Sequence, residues 1–440
     1  MADSSSSRRA FLKTLAAGAA GLSTFGMTAA SYARIRGASD RIRVGMIGVG
    51  RQARGHLNGF MSERDVQVAA VCDVYRPNLD WAAARAPDAL AHTDFRRVLD
   101  DPGIDAVVVS TPDHWHALPT VMACDAGKDV YVEKPTAKAV RESRAMVEAA
   151  RRNDRIVQVG TQQRSDDHFR QAVELVRSGR LGPVSFVRTW NVGNSYPDGF
   201  GDAPDAPPPP GLDWQMWLGP APDVPFNINR FGIVFDEAGD FTRWPTWRHF
   251  WDYAGGMMTD WGVHLLDIVH WAMEVDAPES VAAVGGKLLL RDNRDTPDTL
   301  QATYRYPGFV CVYENRQASS HPIDGETYGI EFHGAAGTLY VNRQYFRLTP
   351  QPGSDLEPME VRARGAAKSH RRDFLDSVRS RALPVCDIET GHRSSSAAML
   401  GNVAYRTGRR LAWDAAKEEV PDDPEANALL KAEYRAPWVL

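Results

Sequence analysis

Residues 41–60 read Arg-Ile-Arg-Val-Gly-Met-Ile-Gly-Val-Gly-Arg-Gln-Ala-Arg-Gly-His-Leu-Asn-Gly-Phe, a pattern that predicts a strand, a tight turn and a helix in succession. Within the turn, Gly48 permits a sharp reversal, and Gly50 lets backbone amides approach a pyrophosphate at the helix N-terminus. With Ala53 in the third place, the stretch follows the G-x-G-x-x-A pattern of dinucleotide-binding proteins. A glycine-rich strand end does not by itself require a nucleotide. If one binds here, the pattern predicts that it contacts Gly48, Gly50, Arg51 and Gln52.

Asp73 lies 20 residues beyond Ala53 and closes the next apolar run, 66–72. A carboxylate at this point accepts hydrogen bonds from a ribose diol and repels a 2′-phosphate, which favours NAD over NADP. Arg76 is close enough in sequence to contact such a phosphate instead, and an ordinary loop acid is the other interpretation of Asp73. We therefore predict NAD as the cofactor, with NADP as the alternative.

The alternating pattern continues through the first third of the chain. Residues 105–110, 129–132 and 155–160 read as short β-branched strands, and helical stretches at 118–126 and 139–151 separate them. Strands interleaved with helices indicate a parallel, doubly wound sheet, so the fold class is α/β. We predict that residues 41–160 form an NAD-binding Rossmann domain.

Composition narrows the classes of partner. The chain has 440 residues, enough for two domains, and its 43% hydrophobic and 24% charged residues are ordinary for a soluble protein. A formal net charge of −5 argues against nucleic acid as a partner. The four cysteines are widely spaced, and Cys72 and Cys124 fall inside a predicted strand and helix, where a thiol is usually a small buried apolar group. We predict no metal site.

The N-terminus has the features of an export signal. Ser7-Arg8-Arg9-Ala10-Phe11-Leu12-Lys13 precedes a mildly apolar run to Ala30 and matches the twin-arginine export signal. The run is too short and too weakly apolar for a membrane span, so no membrane insertion is expected. We predict a signal peptide over 1–33 and a periplasmic or extracellular protein, exported folded with its nucleotide already acquired. A disordered basic tail is the other interpretation.

A second domain is predicted over 161–415, followed by a C-terminal arm over 416–440. Strand-like runs occur at 184–192, 281–290, 299–306, 309–316, 327–333 and 338–341. Because helices do not separate the later runs, they predict an open antiparallel sheet. Residues 391–410 have helical spacing, and we expect this helix to pack between the domains.

The segment 193–253 is long and irregular, and it is rich in aromatic residues such as Trp251 and Tyr253. Connections of this length are usually functional or disordered, and disordered segments are poor in aromatic side chains. Rings exposed in a cleft stack on sugar rings, while simple loop packing explains the same composition equally well. On the first interpretation, Trp251 and Tyr253 are candidate substrate-binding residues.

Two short motifs carry side chains suited to catalysis. Lys134 follows a parallel strand, and ligands of doubly wound sheets bind outside the carboxyl ends of strands. Asp260 and His264 are four residues apart in a predicted helix that runs to about Met273, and thus on one helical face. An imidazole accepts a hydroxyl proton near neutral pH, and a carboxylate fixes its tautomer. A surface lysine and a structural histidine are the alternatives.

Four motifs together resemble the Gfo/Idh/MocA oxidoreductases, the family of glucose-fructose oxidoreductase and inositol dehydrogenase. They are the glycine turn at 48–55, Thr111-Pro112-Asp113-His114-Trp115-His116, Glu133-Lys134-Pro135 and Asp260-x-x-x-His264. The resemblance covers about 41–415. It implies a Rossmann domain followed by an α/β domain on an open antiparallel sheet, often assembled into dimers or tetramers.

The same resemblance implies roles for single residues. Lys134 would touch both nicotinamide and substrate, His264 would accept the proton, and Asp260 would support His264. Arg164 would lie near the active site and contact substrate. The nucleotide would be lined by Thr111, Pro112, His116 and Glu133, the last near its ribose. The exported glucose-fructose type retains its nucleotide tightly, so a tightly bound NAD is expected, whereas the aromatic segment departs from the commonest pattern of the family.

The sequence therefore predicts an exported, NAD-dependent oxidoreductase that transfers a hydride between the nicotinamide and a secondary hydroxyl or keto group of a sugar, glycoside or polyol. Because NAD is scarce outside the cytoplasm, a second substrate would reset the bound cofactor. One alternative is a glycoside hydrolase that oxidises the ring transiently, eliminates the aglycone and reduces the product again. Another is a nucleotide-binding sensor or scaffold that has lost catalysis.

Overall fold

The computed structural model of the protein describes residues 41–236, 239–366 and 368–440. The predicted signal peptide, 1–33, lies outside these ranges. Along the first half of the described chain the elements are β1 Ile42–Ile47, α1 Arg51–Met61, β2 Val66–Cys72, α2 Arg76–Arg85, β3 Leu90–His92, α3 Arg96–Asp100, β4 Ala106–Val109, α4 Ala117–Asp125, β5 Asp129–Val132, α5 Val140–Arg152 and β6 Val157–Val159.

These six strands form one parallel sheet in the order β3-β2-β1-β4-β5-β6. Strands β4, β5 and β6 are buried along their whole length, which explains their continuous runs of β-branched residues. The strand order reverses between β1 and β4, and a crevice for a ligand is expected outside the carboxyl ends of strands at such a point. The predicted doubly wound sheet is confirmed.

The second half of the chain adds α6 Asp167–Arg177, β7 Val184–Val192, α7 Trp214–Leu218, α8 Ile228–Phe231, α9 Gly256–Asp260, α10 Gly262–Met273, β8 Ser280–Gly286, β9 Thr299–Tyr306, β10 Phe309–Arg316, β11 Tyr328–Gly334, β12 Gly337–Val341, β13 Tyr345–Pro350, β14 Met359–Arg362, α11 His370–Ser380, α12 Ile388–Thr407, β15 Leu411–Ala412 and α13 Pro424–Leu429. Nine strands form a single sheet in the order β14-β13-β12-β11-β7-β10-β9-β8-β15. Residues alternate between buried and exposed along β9, so one face of the sheet is packed and the other faces outward.

This sheet is mixed, which corrects the predicted antiparallel arrangement. Strands β7 and β10 pair in parallel, while the remaining neighbours are antiparallel. A long connection that includes α9 and α10 lies between β7 and β10 in the chain, and only a long connection lets two neighbouring strands run in the same direction. Strand β10 alternates between buried and less buried residues, as an antiparallel strand with one outward face does, so its pattern did not reveal the parallel pairing.

Helix α12 joins the two halves, as the sequence predicted for 391–410. Most of its side chains are buried, and the hydroxyl of Ser395 accepts a hydrogen bond of 3.1 Å from the backbone amide of Thr136 after β5. Arg144 on α5 donates to Glu389 on α12 over 2.8 Å. Helix α12 therefore fixes the end of β5, which carries Lys134, against the second half of the molecule.

The C-terminal residues lie against the first half of the molecule. Trp438 packs edge-on against Trp115, with ring centroids 4.8 Å apart, and the Tyr434 hydroxyl donates to Glu142 over 2.6 Å. Within the described ranges, none of the helices combines the length and apolar character needed to cross a bilayer. The same ranges contain no group of three His, Cys, Asp or Glu side chains that could hold a metal ion.

Candidate active site

A cavity of about 600 Å³ opens at the carboxyl ends of β1, β4 and β5. The glycine turn after β1 lines one part of it, and Lys134, Asp260 and His264 line another. The volume lies within the usual range for ligand sites. Residues separated by more than two hundred positions therefore share one space, at the edge of the sheet where the strand order predicts a ligand.

The glycine turn has the geometry that its pattern predicts. Gly48 adopts φ +80°, and a Cβ there would lie 3.0 Å from backbone atoms of Ser110 and Thr111, so a side chain would be strained and crowded. Gly50 is the N-cap residue of α1. It makes no side-chain hydrogen bond to the helix, and the first turn contains no acidic residue. The first amides of α1 are thus free to bind an anion such as a pyrophosphate.

Two hydroxyl groups in the cavity lack partners among the described residues. Ser110 Oγ and Thr111 Oγ1 are buried and make no hydrogen bond within the described part of the chain. Buried polar atoms are nearly always satisfied, so both hydroxyls indicate a polar ligand. Together with the glycine turn, they fit a dinucleotide lying across this edge, and Gly48, Gly50, Arg51, Gln52, Thr111 and Pro112 all line the cavity.

Asp73 lines the cavity at the end of β2. Its carboxylate accepts hydrogen bonds of 2.9 Å from the amides of Val49 and Tyr75, which anchors the glycine turn to the end of β2. Burial raises the pKa of Asp73 to about 6, so the carboxylate is largely ionised at neutral pH. Arg76, the candidate phosphate contact, is exposed and donates to Asp80 over 2.7 Å.

Glu133 and His116 hold the walls of the cavity in place. Burial alone would raise the pKa of Glu133, but the hydrogen bond and charge of His56 lower it to about 2. Glu133 also accepts from Gln52 over 3.2 Å, so it ties β5 to the start of α1. The two ring nitrogens of His116 lie 2.7 and 2.9 Å from the carbonyl oxygens of Pro135 and Thr111, so His116 bridges two loops.

Lys134 belongs to an ion-pair network with Asp260 and Arg248. Its Nζ donates to the Asp260 carboxylate over 2.7 Å and to the Asp260 carbonyl over 2.9 Å. Arg248 donates to the same carboxylate over 3.1 Å. Burial alone would raise the pKa of Asp260, but the charges of Lys134 and Arg248 hold it well below its usual range. The ammonium of Lys134 is thereby fixed at the cavity wall.

His264 lines the same cavity from the first turn of α10. Burial and the positive charges of Lys134 and Arg343 hold its pKa well below the usual value, so the ring is neutral at neutral pH. The helix is interrupted at Trp261, between α9 and α10. The carboxylate of Asp260 forms its hydrogen bonds with Lys134 and Arg248 rather than with His264. This corrects the expectation that one continuous helix lets Asp260 fix the tautomer of His264.

Three predicted substrate-binding residues do not line the cavity. Arg164 is buried and forms two hydrogen bonds, of 2.8 and 2.9 Å, with the carboxylate of Asp267 on α10, so it holds α10 against the turn after β6. Trp251 stacks on Tyr405 of α12, with ring centroids 6.5 Å apart. Tyr253 is fully buried and packs on Trp217 at 4.8 Å. Their packing partners lie far from them in sequence, which no local pattern reveals.

Loop packing accounts for most rings of the aromatic segment, and one ring lines the cavity. Most of its rings form a separate buried cluster, which includes Trp214, Phe226 and Phe250. Trp244 instead remains 54% exposed, lines the cavity and lies 4.4 Å from the guanidinium carbon of Arg51. The segment therefore packs over the glycine turn and covers the nucleotide end of the cavity.

The structure adds cavity residues that the sequence analysis did not single out: Asp113, Trp244, Trp247, Arg248 and Arg343. Burial raises the pKa of Asp113 to about 8, because the carboxylates of Asp260 and Glu133 reinforce it and the cations Lys134 and Arg248 only partly oppose it. A carboxyl with this pKa is mostly protonated at pH 7. The place of Asp113 in the motif at 111–116 was the one available signal, whereas Arg248 and Arg343 carried none.

Curated relatives match between a third and two fifths of the chain. A 1-carboxy-3-chloro-3,4-dihydroxycyclohexa-1,5-diene dehydrogenase of Comamonas testosteroni is 33% identical over 150 residues, which are 34% of this chain and 38% of that protein. A glycosyl hydrolase family 109 protein of Shewanella sp. (strain W3-18-1) is 30% identical over 201 residues, 40% of this chain and 44% of that protein. The matches thus span less than half the length of these relatives.

A solved levoglucosan dehydrogenase, in complex with NADH and levoglucosan, has a similar fold, with a TM-score of 0.64, 18% identity, and coverage of 85% of this chain and 99% of that one. The model of the Gfo/Idh/MocA oxidoreductase family, NAD-binding Rossmann fold, matches residues 42–161. The model of the C-terminal alpha/beta domain of that family matches residues 189–440. The chain therefore belongs to the Gfo/Idh/MocA oxidoreductase family.

Proposed function

We propose that this protein is an NAD-dependent oxidoreductase acting on a secondary hydroxyl or keto group of a carbohydrate. The observation that carries the proposal is the shared cavity, in which Lys134 and His264 lie beyond the glycine turn that fits a pyrophosphate. The levoglucosan dehydrogenase of the same fold, whose structure holds NADH and a sugar, supports the choice of substrate class.

The protein side of the reaction follows from three side chains. When bound, the nicotinamide supplies the hydride acceptor or donor. His264, neutral because of burial and two nearby cations, takes the proton of the substrate hydroxyl. The ammonium of Lys134, held by Asp260 over 2.7 Å, stabilises the negative charge that develops on the same oxygen. Arg248 keeps the Asp260 carboxylate in place.

NAD is the proposed cofactor rather than NADP. The ionised carboxylate of Asp73 disfavours a 2′-phosphate, and Arg76 is paired with Asp80. The aromatic segment packs over the glycine turn, which supports tight retention of the nucleotide. Denaturing the purified protein and identifying the released nucleotide tests both points, and release of NADP, or of no nucleotide, would contradict them.

Catalysis is tested with His264→Asn and Lys134→Met, measured as reduction of the bound nucleotide by a panel of sugars and glycosides. We expect each variant to retain nucleotide and to lose roughly a hundredfold or more in rate, the usual contribution of a general base or an oxyanion partner. His321→Asn, at an exposed site, is the matched control. Unchanged rates in both variants would contradict the roles given to His264 and Lys134, whereas no reduction of the nucleotide by any substrate in the wild-type protein would instead support a sensor or scaffold.

A redox-neutral glycoside hydrolase is the second candidate, and the name of the Shewanella relative, a glycosyl hydrolase family 109 protein, supports the hydrolase class. Both candidates use the same proton acceptor and the same oxyanion partner. Release of the aglycone from a glycoside with no accumulation of NADH would select the hydrolase. A ketosugar formed in step with NADH would select the dehydrogenase.

Export by the twin-arginine route is also proposed, on the sequence around Arg8 and Arg9. A variant with both arginines replaced by lysine should remain in the cytoplasm, as measured by cell fractionation, while wild type reaches the periplasm. Equal distribution of the wild type and the variant between cytoplasm and periplasm would contradict the export proposal.

A homo-oligomer is proposed as well, and sedimentation of the purified protein tests it.

A further inference from the structure

Arg343 lies in the turn between β12 and β13 and lines the cavity beside His264 and Trp261. Its guanidinium carbon is 4.9 Å from the centroid of the Trp261 ring. An arginine stacked on an aromatic ring keeps its hydrogen-bonding edge available for a planar partner. The mechanism proposed above makes no use of this side chain.

Arg343 differs from the other cations of the cavity. Lys134 and Arg248 share the carboxylate of Asp260, and Arg51 lies over Trp244 at the glycine turn. Across 41–236, 239–366 and 368–440, no carboxylate oxygen lies within 4.0 Å of the Arg343 guanidinium, and its Nε is buried with no hydrogen-bond partner. Asp166 is near enough for the charge of Arg343 to act on its pKa, but the two form no salt bridge, so the guanidinium keeps its hydrogen-bonding edge for an anionic ligand.

The position of Arg343 decides which ligand provides that charge. Arg343 stacks on Trp261, whose ring centroid lies 6.5 Å from that of His264, and its charge lowers the pKa of His264, so Arg343 lies at the end of the cavity that holds the proton acceptor. Arg51, in contrast, stands at the glycine turn, where a pyrophosphate fits. An anion that pairs with Arg343 would therefore be part of the substrate and not of the nucleotide.

We propose that the substrate is a sugar acid, such as a hexuronate or its glycoside, whose carboxylate binds Arg343. This inference rests on the proposed oxidoreductase function and specifies its substrate. A guanidinium pairs with a carboxylate through two parallel hydrogen bonds, which fixes orientation as well as affinity. Arg343 would thereby select acids over neutral sugars and present a ring hydroxyl to His264 and Lys134.

Binding of a carboxylate would also activate the proton acceptor. The charged groups that act on His264 are Lys134 and Arg343, which lower its pKa, and Asp260, which raises it. A carboxylate paired with Arg343 cancels one of the two depressing charges, so the imidazole becomes a stronger base when substrate is in place. A neutral sugar would leave both charges acting.

The test compares D-glucuronate with D-glucose on the nucleotide-containing protein, as binding measured by calorimetry and as reduction of the bound nucleotide. We expect glucuronate to bind about tenfold or more tightly, the range of a charge-assisted pair. Arg343→Gln should abolish the preference, and Arg343→Lys should keep part of it. Arg347→Gln is the matched control, because Arg347 likewise lies over aromatic rings, those of Tyr340 and Tyr345, but does not line the cavity.

Several outcomes would overturn the inference. Equal binding of the two sugars, binding of neither, or a preference that survives in Arg343→Gln would each do so. Tighter binding of glucose 6-phosphate or inorganic phosphate than of glucuronate would assign the site to phosphate instead. If neutral sugars reduce the bound nucleotide as fast as their acids, the carboxylate inference fails and the oxidoreductase function stands. Absence of nicotinamide nucleotide would refute the proposed function itself.

Discussion

Asp113→Asn should stabilise the nucleotide-free protein by an amount that grows with pH. Asp113 is 5% exposed, and burial raises its pKa to about 8. In the unfolded chain an aspartate titrates near 4, so between about pH 4 and pH 8 the unfolded state has released a proton that the folded state still holds. The wild-type protein therefore loses stability as pH rises through this window, whereas asparagine has no proton to release.

The magnitude follows from that difference in bound protons. One proton corresponds to a slope of about 1.4 kcal/mol per pH unit, so the advantage of Asp113→Asn should grow by roughly 2–3 kcal/mol from pH 5 to pH 7. It should be nearly constant below pH 4. Urea denaturation followed by tryptophan fluorescence at several pH values measures it. Because the two proteins share every other titrating group, their difference isolates Asp113.

Asp88→Asn, at an exposed site, is the control, and its difference from wild type should stay small at every pH. An advantage of Asp113→Asn that does not change between pH 5 and pH 7 would refute the reasoning, since Asp113 would then be ionised in the folded protein. An advantage that shrinks with rising pH would show that Lys134 and Arg248 outweigh burial at this site.

Two further predictions concern the nucleotide end of the cavity. Gly48→Ala should cost about 1–3 kcal/mol in stability by thermal unfolding and weaken nucleotide binding, because φ is +80° and the backbone of Ser110 lies 3.0 Å from the new Cβ. Gly55→Ala, where a Cβ meets nothing within 4 Å, should leave the structure intact, and equal losses in the two variants would contradict the argument. Trp244→Ala should weaken nucleotide retention several-fold, measured by equilibrium dialysis, because Arg51 loses a cation–π contact worth roughly 1 kcal/mol. Trp251→Ala should not, and similar losses in both variants would show that Trp244 acts only through loop packing.

The Rossmann half could be predicted from the sequence because its signals are local. The glycine turn, the carboxylate at the end of β2 and the alternating strands each depend on residues within about one element of one another. The same holds for Lys134, because a residue that follows a parallel strand lies at the edge where the ligand binds. The direction of β7 relative to β10 could not be predicted, since β10 alternates as an antiparallel strand does.

The sequence alone determined the cofactor class, the α/β fold and two of the side chains proposed to act on substrate, because short-range periodicity and turn chemistry encode them. Only the tertiary structure decided which side chains pair with one another and which line the cavity. Asp260 pairs with Lys134, which is 126 residues away, and Arg164 pairs with Asp267. The cavity also receives Asp113, Arg248 and Arg343 from three separate segments. Burial and charge pairing depend on which distant elements pack together, and these interactions set the pKa values and the ion pairs from which the site is interpreted.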